Sequence, residues 1–450
     1  MLLSNSEWLV FTTIHIIVWI MIYRYKMRFT DPLDSFYFSS GLYLLIFVYA
    51  PAVWIYRGQT SYQGVEVMSY MPIGMLLFNV GYFIFALGSI SNKKIVIGRY
   101  GRRNRYADQE FTAYLYSDEI SERITRWGWA VYIISISLVL LYFAKTGRSL
   151  IYMLTFGQGD EITVGGDALG TYFLAQFSRS AIPAIVLLLT FQKKNKLLGY
   201  VAAYVLATIC FTSGSRNLAL CVVISIAIMH YLKRDKRPNL FVMIAAVVLM
   251  FLFVGFVGTY RQVMRNGGTI DLSLLSFEGM LNAFMFNVEI FFPFFHLVGY
   301  TYSGQMSCHY GLGILNIPIQ FIPRALWASK PATLGLTAFQ AMYGDSFGGS
   351  AYPNIGEFFY ELGVFGVILF MYIFGKRMKQ LYTQAVYTRN PLAMIRYSIA
   401  FGYIMQFICR GHFASWALDF AFMFMPLVFV EQYLYGCYCK QHKFVFKEGE

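Results

Sequence analysis

Residues 354–375 read NIGEFFYELGVFGVILFMYIFG, an apolar run of 22 residues that carries two carboxylates, Glu357 and Glu361. A helix of this length can cross the hydrocarbon core of a bilayer. A charge at that depth costs free energy, so carboxylates within such a run indicate a specific structural or functional role. The polar loop before the run adds two cations, Arg324 and Lys330. We therefore predict a membrane-spanning helix that begins next to a functional loop.

The whole chain has the composition of a membrane protein. Its 450 residues are 58% hydrophobic and only 13% charged, whereas soluble domains carry about 25% charge. Hydropathy predicts an all-α, polytopic fold in one integral membrane domain, residues 1–450, with about eleven spans. The spans are 7–23, 36–56, 72–90, 127–145, 169–191, 197–213, 217–232, 239–258, 354–375, 391–409 and 416–436. The alternative is twelve to fourteen spans, if further helices cross within 272–300.

The cations are distributed unevenly over the connections. Of the 36 lysines and arginines, 25 fall on alternate connections, hence on one face. The positive-inside rule makes that face cytoplasmic, with the N-terminus external and the C-terminus cytoplasmic. The longest basic connection, residues 91–126, is predicted to be a cytoplasmic loop that faces lipid headgroups. Nucleic-acid binding is disfavoured, because no folded domain surrounds this loop.

One external connection is very long. It covers residues 259–353, between the eighth and ninth predicted spans, and a loop of this size is usually functional. We expect it to contain short helices. Its stretch 272–300 is apolar enough to lie along the membrane interface, to re-enter the bilayer or to form a further pair of spans.

Arginine is more frequent than lysine among the cations of the predicted external face. Ten cations lie there or in the outer half of the membrane, and eight of the ten are arginine, whereas 13 of the 25 on the opposite face are lysine. Guanidinium holds phosphate or carboxylate as a planar fork and keeps its charge when partly buried. The alternative for any single arginine is a side chain that reaches a lipid headgroup. The ten are Arg57, Lys145, Arg148, Arg179, Arg216, Arg261, Arg265, Arg324, Lys330 and Arg410.

Three external sequences look the most distinctive. The turn TSGSR places Arg216 at a helix start, where a cation opposes the helix dipole unless an anion binds nearby. Arg261 and Arg265 are spaced i, i+4 and so share one helix face. Arg410-Gly411-His412 is the short turn between the last two predicted spans. Together they predict a cavity lined by arginine and open to the outside.

With these motifs the chain resembles the oligosaccharide repeat-unit polymerases, the Wzy-type O-antigen polymerases of bacterial envelopes. The resemblance in topology, with about eleven spans and one long external loop late in the sequence, covers nearly the whole chain. It is sharper in four motifs: TSGSRN at 212–217, IPRALWASKP at 322–331, NIGEFFYELGVFG at 354–366 and CRGH at 409–412. Some members carry an R-x10-G motif in two external loops, and here Arg148 precedes Gly159 and Arg324 precedes Gly335 at that spacing.

The resemblance implies a fold similar to the C-type glycosyltransferases and a specific activity. Such enzymes transfer a glycan from an undecaprenyl-pyrophosphate donor to a lipid-linked repeat unit, on the external face of the bacterial cytoplasmic membrane. The product is O-antigen, capsule or exopolysaccharide. No cofactor is implied. The expected partners are lipid-linked donor and acceptor, membrane lipids and a chain-length regulator protein, with no nucleic acid.

The chemistry assigns roles to residues. A pyrophosphate leaving group calls for arginine clamps, for which we expect Arg216, Arg261, Arg265 and Arg324, then Lys330 and Arg410. The motif adds Arg148. The attacking hydroxyl calls for a base, and the candidates are Glu357 and His412. Glu357 has the alternative role of capping the ninth span, and His412 that of an interfacial turn residue. The weaker candidates are His309 and Glu289.

Two further expectations complete the site. External aromatic residues can stack on sugar rings, although they more often anchor a protein in lipid; these are Tyr310, Tyr343, Tyr352 and Trp327. The sequence holds no motif typical of a metal centre, so we expect a metal-independent mechanism.

Two other functions share parts of this pattern. An O-antigen ligase uses the same fold and donor but transfers the glycan to the lipid A core. A lipid-linked oligosaccharide flippase is expected to show repeated halves and charged residues within its spans. The chain shows no internal repeat, and its polar content is concentrated in one late external loop.

Overall fold

The computed structural model describes residues 5–27, 31–90, 109–147, 174–212, 216–239, 288–322, 334–344, 352–410 and 412–447, with isolated residues in 241–279 and 326–327. Helices form nearly all of its regular structure. They are α1 (Asn5–Lys26), α2 (Ser35–Leu44), α3 (Ala50–Tyr56), α4 (Met71–Ile90), α5 (Gln109–Tyr116), α6 (Asp118–Thr146), α7 (Ser178–Phe191), α8 (Lys196–Thr212), α9 (Arg216–Arg234), α10 (Phe291–Tyr302), α11 (Leu312–Leu315), α12 (Ile317–Gln320), α13 (Leu334–Tyr343), α14 (Asn354–Thr388), α15 (Pro391–Cys409), α16 (Phe413–Met423) and α17 (Met425–Lys447). A π-helical turn, Leu45–Tyr49, joins α2 to α3, and a short hairpin pairs β1 (Ser61–Tyr62) with β2 (Val65–Glu66).

The all-α polytopic prediction is confirmed. Eight helical stretches in the described part are long and apolar enough to cross a membrane: Glu7–Lys26, Ser35–Tyr56, Met71–Ile90, Asp118–Thr146, Asn217–Arg234, Asn354–Thr388, Pro391–Cys409 and Phe413–Gln441. Each contains one predicted span. The predicted spans 169–191 and 197–213 correspond to shorter apolar helices, Ser178–Phe191 and Lys196–Phe211. The predicted span 239–258 lies mostly outside the described residues.

Helices α4 and α14 pack backbone to backbone, because glycines face each other across the contact. A Cβ atom at Gly375 would lie 2.2 Å from the carbonyl oxygen of Phe85, and one at Gly88 would lie 2.4 Å from that of Tyr372. Small residues permit such close helix crossings inside membranes. The two helices therefore form a tight pair, and α14 also packs on α15.

Helix α14 is broken, whereas the sequence predicts a continuous span. Leu362 and Gly363 leave helical geometry, and Gly363 has φ 63° and ψ −151°, a conformation that residues with a Cβ rarely adopt. The break frees backbone carbonyls of the preceding turn. The N–H of His309 donates to the carbonyl of Tyr360 (2.8 Å), and the N–H of Gly311 donates to that of Glu361 (2.9 Å). The segment 309–311 therefore satisfies carbonyls of the buried half-helix 354–361 that the break leaves without helical partners.

Two predicted segments pack on the bundle where the structure describes them. Within the basic connection 91–126, α5 buries Phe111 and Leu115, and Phe111 packs on Tyr435 and Tyr438 of α17. Residues 91–108 lie outside the described part. The apolar stretch 272–300 is described from residue 288. There α10 is only 12 residues long and Phe291–Gly299 are all buried, so this helix packs within the bundle and is too short to cross a bilayer by itself.

At the predicted cytoplasmic end, charges are buried in pairs. Asp34 accepts from Arg24 (2.9 Å) and from Lys379 (2.9 Å), and all three side chains are buried. A second aspartate, Asp31, pairs with Arg237 (2.7 Å) and accepts from the hydroxyl of Tyr382 (2.6 Å). These bonds tie the α1–α2 connection to α14 and to the end of α9.

Candidate functional site

The Arg410–His412 turn joins α15, a well-buried helix of the bundle, to α16. Helix α15 ends at Cys409 and α16 begins at Phe413. The Arg410 side chain is accessible to solvent, yet protein surrounds it closely enough that burial lowers the pKa of its guanidinium. It stays charged at neutral pH, because the pKa of arginine is normally above 12. Arg410 forms no ion pair within the described part of the chain. An accessible cation enclosed by protein lies in a recess.

The start of α9, which carries Arg216, lies next to this recess. Helix α9 begins at Arg216, and the side-chain amide of its next residue, Asn217, donates to Gln406 Oε1 (2.8 Å). The backbone carbonyl of Gln406 accepts from the N–H of Arg410 (3.1 Å). The backbone of Arg216 therefore lies about one helical turn from Arg410, across the α9–α15 contact, although its side chain lies outside the described part.

His412 is the residue immediately before α16. Its backbone is extended (φ −168°), and its carbonyl accepts the first helical hydrogen bond, from the N–H of Trp416 (3.0 Å). Its ring atom Nδ1 is buried and has no hydrogen-bond partner in the described part. Burial lowers the pKa of His412 to about 4. The imidazole is therefore neutral near pH 7 and has a lone pair that can accept a proton.

Glu357 forms a hydrogen bond at the end of the Arg410–His412 turn. It is 1% exposed, and its two oxygens accept from the N–H of Phe413 (2.9 Å) and the hydroxyl of Tyr352 (2.9 Å). A carboxylate at the first N–H of a helix acts as a cap. The alternative stated for Glu357 was a cap for its own helix, but the helix that it caps is α16. With both oxygens engaged, Glu357 is placed to fix the Arg410–His412 turn.

A buried ion pair that the sequence did not predict lies deeper in the same region. Arg179, near the start of α7, pairs with Asp419 of α16, and the hydroxyl of Tyr403 also donates to Asp419. Arg179 was counted only among the external cations. An aspartate inside the apolar run 413–424 was the available signal, since a buried carboxylate in a span needs a partner. The pair joins α7, α15 and α16 beneath the recess.

Some of the other candidate residues lie in the described part of the structure, and others lie outside it. His309 lies on the segment that caps the broken helix, with its ring centroid 4.3 Å from that of Tyr360. Glu289 lies near Arg57 and Trp54 at the other side of α10, and burial raises its pKa. Five predicted phosphate contacts lie outside the described residues: Arg148, Arg261, Arg265, Arg324 and Lys330.

Comparison with known proteins gives one match. No curated protein and no solved structure matches the chain. The family model described as O-antigen polysaccharide polymerase Wzy matches residues 1–443, which is nearly the entire chain. The chain therefore belongs to the O-antigen polysaccharide polymerase Wzy family.

Proposed function

We propose that this protein joins oligosaccharide repeat units carried on undecaprenyl pyrophosphate, and that it does so at the recess that contains Arg410. One observation carries the proposal: an accessible arginine, which forms no ion pair within the described part of the chain, lies in an enclosed turn close to the start of the helix that carries Arg216. Membership of a polymerase family supports the reaction. The arginine-rich external connections support a site on the external face of the bacterial inner membrane, with the N-terminus external and the C-terminus cytoplasmic.

The proposed reaction is a single glycosyl transfer. The acceptor hydroxyl oxygen attacks the anomeric carbon, the bond from that carbon to the phosphate oxygen breaks, and undecaprenyl pyrophosphate leaves with the electron pair. Cations held in place before the reaction stabilise the charge that develops on the leaving group. We assign this role to Arg410 and Arg216, with Arg261, Arg265, Arg324, Lys330 and Arg148 as further contacts. In this mechanism arginine and lysine, rather than a metal ion, neutralise the pyrophosphate.

His412 fits the base better than Glu357. Its imidazole is neutral at neutral pH and its Nδ1 has no hydrogen-bond partner among the described residues, whereas both oxygens of Glu357 accept hydrogen bonds. A bound pyrophosphate next to the ring favours the protonated form and so raises the pKa of His412. The anion therefore makes His412 a stronger base when the donor is bound. Glu357 then serves as a positioning residue that holds the turn.

The rival functions have less support. The matched family is one of polymerases, which favours chain growth over transfer to the lipid A core or transport. The lipid-linked donor and acceptor are the partners that this proposal needs, and a chain-length regulator would act on the same product.

A reconstituted assay tests the proposal. Purified protein in detergent or liposomes receives an authentic undecaprenyl-pyrophosphate-linked repeat unit, and the product is separated by length on a gel. We expect a ladder of multiples of the repeat unit. A product that does not grow would contradict the proposed function. Arg324→Ala is expected to abolish the ladder while the protein stays in the membrane, and full activity in that variant would remove Arg324 from the site.

A further inference from the structure

Tyr310 has an unusual backbone conformation for a bulky residue. Its φ is 51°, in the left-handed region where a side chain crowds the backbone. The residues on both sides fix this conformation, because the N–H groups of His309 and Gly311 donate to the consecutive carbonyls of Tyr360 and Glu361. Tyr310 therefore lies at the top of a turn that is bonded on both sides to the broken end of the half-helix 354–361. Backbone strain of this kind is concentrated at functional sites.

The ring of Tyr310 is presented outward. Its side chain is 78% exposed, although its backbone is held rigidly. Tyr302, at the end of α10, has almost the same exposure, 79%, but normal helical backbone geometry. Exposure alone therefore does not distinguish Tyr310. The combination of strain, two flanking hydrogen bonds and an outward ring does.

The Tyr310 turn is next to the candidate site. Helices α11 and α12, which follow it directly, pack on α16, the helix that starts after His412. The N–H of Gly313 donates to Glu361 Oε2 (3.0 Å). The other oxygen of Glu361, Oε1, is buried and has no hydrogen-bond partner in the described part.

We propose that Tyr310 is a sugar-binding residue, and that its ring is the face on which a pyranose ring of the repeat unit stacks. Tyrosine suits this ligand, because it gives a large rigid apolar face at a small cost in side-chain entropy and a hydroxyl at its edge. The held backbone removes most of the cost of ordering the ring. The proposal deepens the proposed function, on which it rests for the identity of the glycan.

The experiment separates a sugar-binding role from a structural one. Asparagine tolerates positive φ far better than tyrosine, so Tyr310→Asn keeps the turn and removes the ring. We expect Tyr310→Asn to melt at or above the wild-type temperature. Its dissociation constant for the water-soluble, lipid-free repeat-unit oligosaccharide, and its KM for the lipid-linked unit, should both rise by roughly 3- to 10-fold, as loss of one ring contact predicts. Tyr310→Phe should stay within about twofold of wild type.

Control variants show what each of the other possible outcomes would mean. Tyr302→Ala removes an equally exposed ring and should leave both constants unchanged. Tyr310→Leu keeps an apolar side chain for lipid but loses the flat face, so wild-type constants in that variant would overturn the proposal in favour of a lipid anchor. Unchanged constants in Tyr310→Asn, or no binding of the oligosaccharide to wild type, would also overturn it. Binding to wild type without chain growth would contradict the polymerase function and leave the sugar site intact.

Discussion

The two ends of the helix bundle use their cations differently. At the predicted cytoplasmic end, several basic residues that the positive-inside rule assigns to surface connections form ion pairs instead. Arg24 and Lys379 share buried Asp34, Arg237 pairs with Asp31, and more exposed pairs include Arg389–Asp235. At the opposite end, Arg179 is paired with Asp419, but Arg410 is accessible and unpaired within the described part. One end uses its cations to hold helices together, whereas at the other end we propose that Arg410 binds an anion.

The largest expected effect is on stability, at the paired end. Asp34→Ala leaves Arg24 and Lys379 buried without their shared carboxylate, and breaking a buried pair costs about 3–5 kcal/mol. We expect a large drop in melting temperature in detergent and a loss of protein from the membrane. Asp235→Ala is the matched control, because its pair with Arg389 is exposed and such pairs contribute little. Equal stability of the two variants would contradict the contrast between buried and exposed charge.

The next effect is on activity, at the unpaired end. Arg410→Ala should reduce the rate of chain growth by about 10²–10³-fold, the usual cost of removing one group that stabilises charge in a transition state. Its melting temperature should stay near that of wild type, because Arg410 has no ion pair to lose. Arg410→Lys should recover part of the rate, since lysine keeps the charge but not the planar fork. A rate for Arg410→Ala near that of wild type would exclude Arg410 from the reaction.

The effect of pH on the rate of chain growth should be smaller than the effect of Arg410→Ala, and it should identify the base. The proposed base is neutral His412, so the rate falls as pH falls through its pKa. For kcat/KM, which reports free enzyme, that fall belongs near pH 4. For kcat it should lie at higher pH, because the bound pyrophosphate raises the pKa. Both falls should disappear in His412→Gln. Coincident profiles for kcat and kcat/KM would argue against an anion beside His412.

The same depressed pKa predicts how stability depends on pH. In the unfolded chain the pKa of histidine is about 6.5, whereas His412 in the folded protein titrates at about 4. Between these values the unfolded state binds more protons, so stability falls as pH is lowered from 6.5 to 4. Melting temperatures of wild type and His412→Gln, measured across that range, should show a smaller loss in the variant. Parallel curves would show that His412 is not buried as described.

The smallest effect concerns the residue that holds the turn. Glu357→Gln keeps an oxygen that can accept from the N–H of Phe413 but removes the negative charge at the start of α16. A helix-terminal charge contributes about 0.3–1 kcal/mol, so we expect chain growth to fall by less than about tenfold. Glu357→Ala removes the cap as well, which costs about 1–2 kcal/mol, and should lower the melting temperature. If Glu357→Gln were as inactive as Arg410→Ala, Glu357 would have to be reassigned as a catalytic base.

The sequence predicted the fold class but not the break in its most informative helix. Span positions follow from apolar length and composition, which are local, so eight predicted spans lie within long apolar helices. Nothing local indicates that Gly363, in an apolar run, adopts positive φ. That conformation depends on His309 and Gly311, which lie about fifty residues earlier and satisfy the freed carbonyls.

The sequence indicated residue types for the candidate site but not their contacts. Arginine enrichment on alternate connections pointed to Arg216 and Arg410, and the bond between Asn217 and Gln406 brings the start of α9 close to the end of α15. Glu357 was identified as a base candidate, yet its partner Phe413 is 56 residues away. Contacts between residues so far apart in sequence cannot be read from charge or hydropathy. For the same reason the pair of Arg179 with Asp419 was missed.

Binding of the leaving group tests the central claim most directly. Radiolabelled undecaprenyl pyrophosphate is titrated into detergent-solubilised wild type, Arg410→Ala and, as a control, Arg389→Ala from the paired end. We predict that Arg410→Ala weakens binding by at least about tenfold, the loss expected for one charge-assisted hydrogen bond, and that Arg389→Ala does not. Equal affinity of Arg410→Ala and wild type, with both proteins folded, would contradict the claim that this recess holds the pyrophosphate.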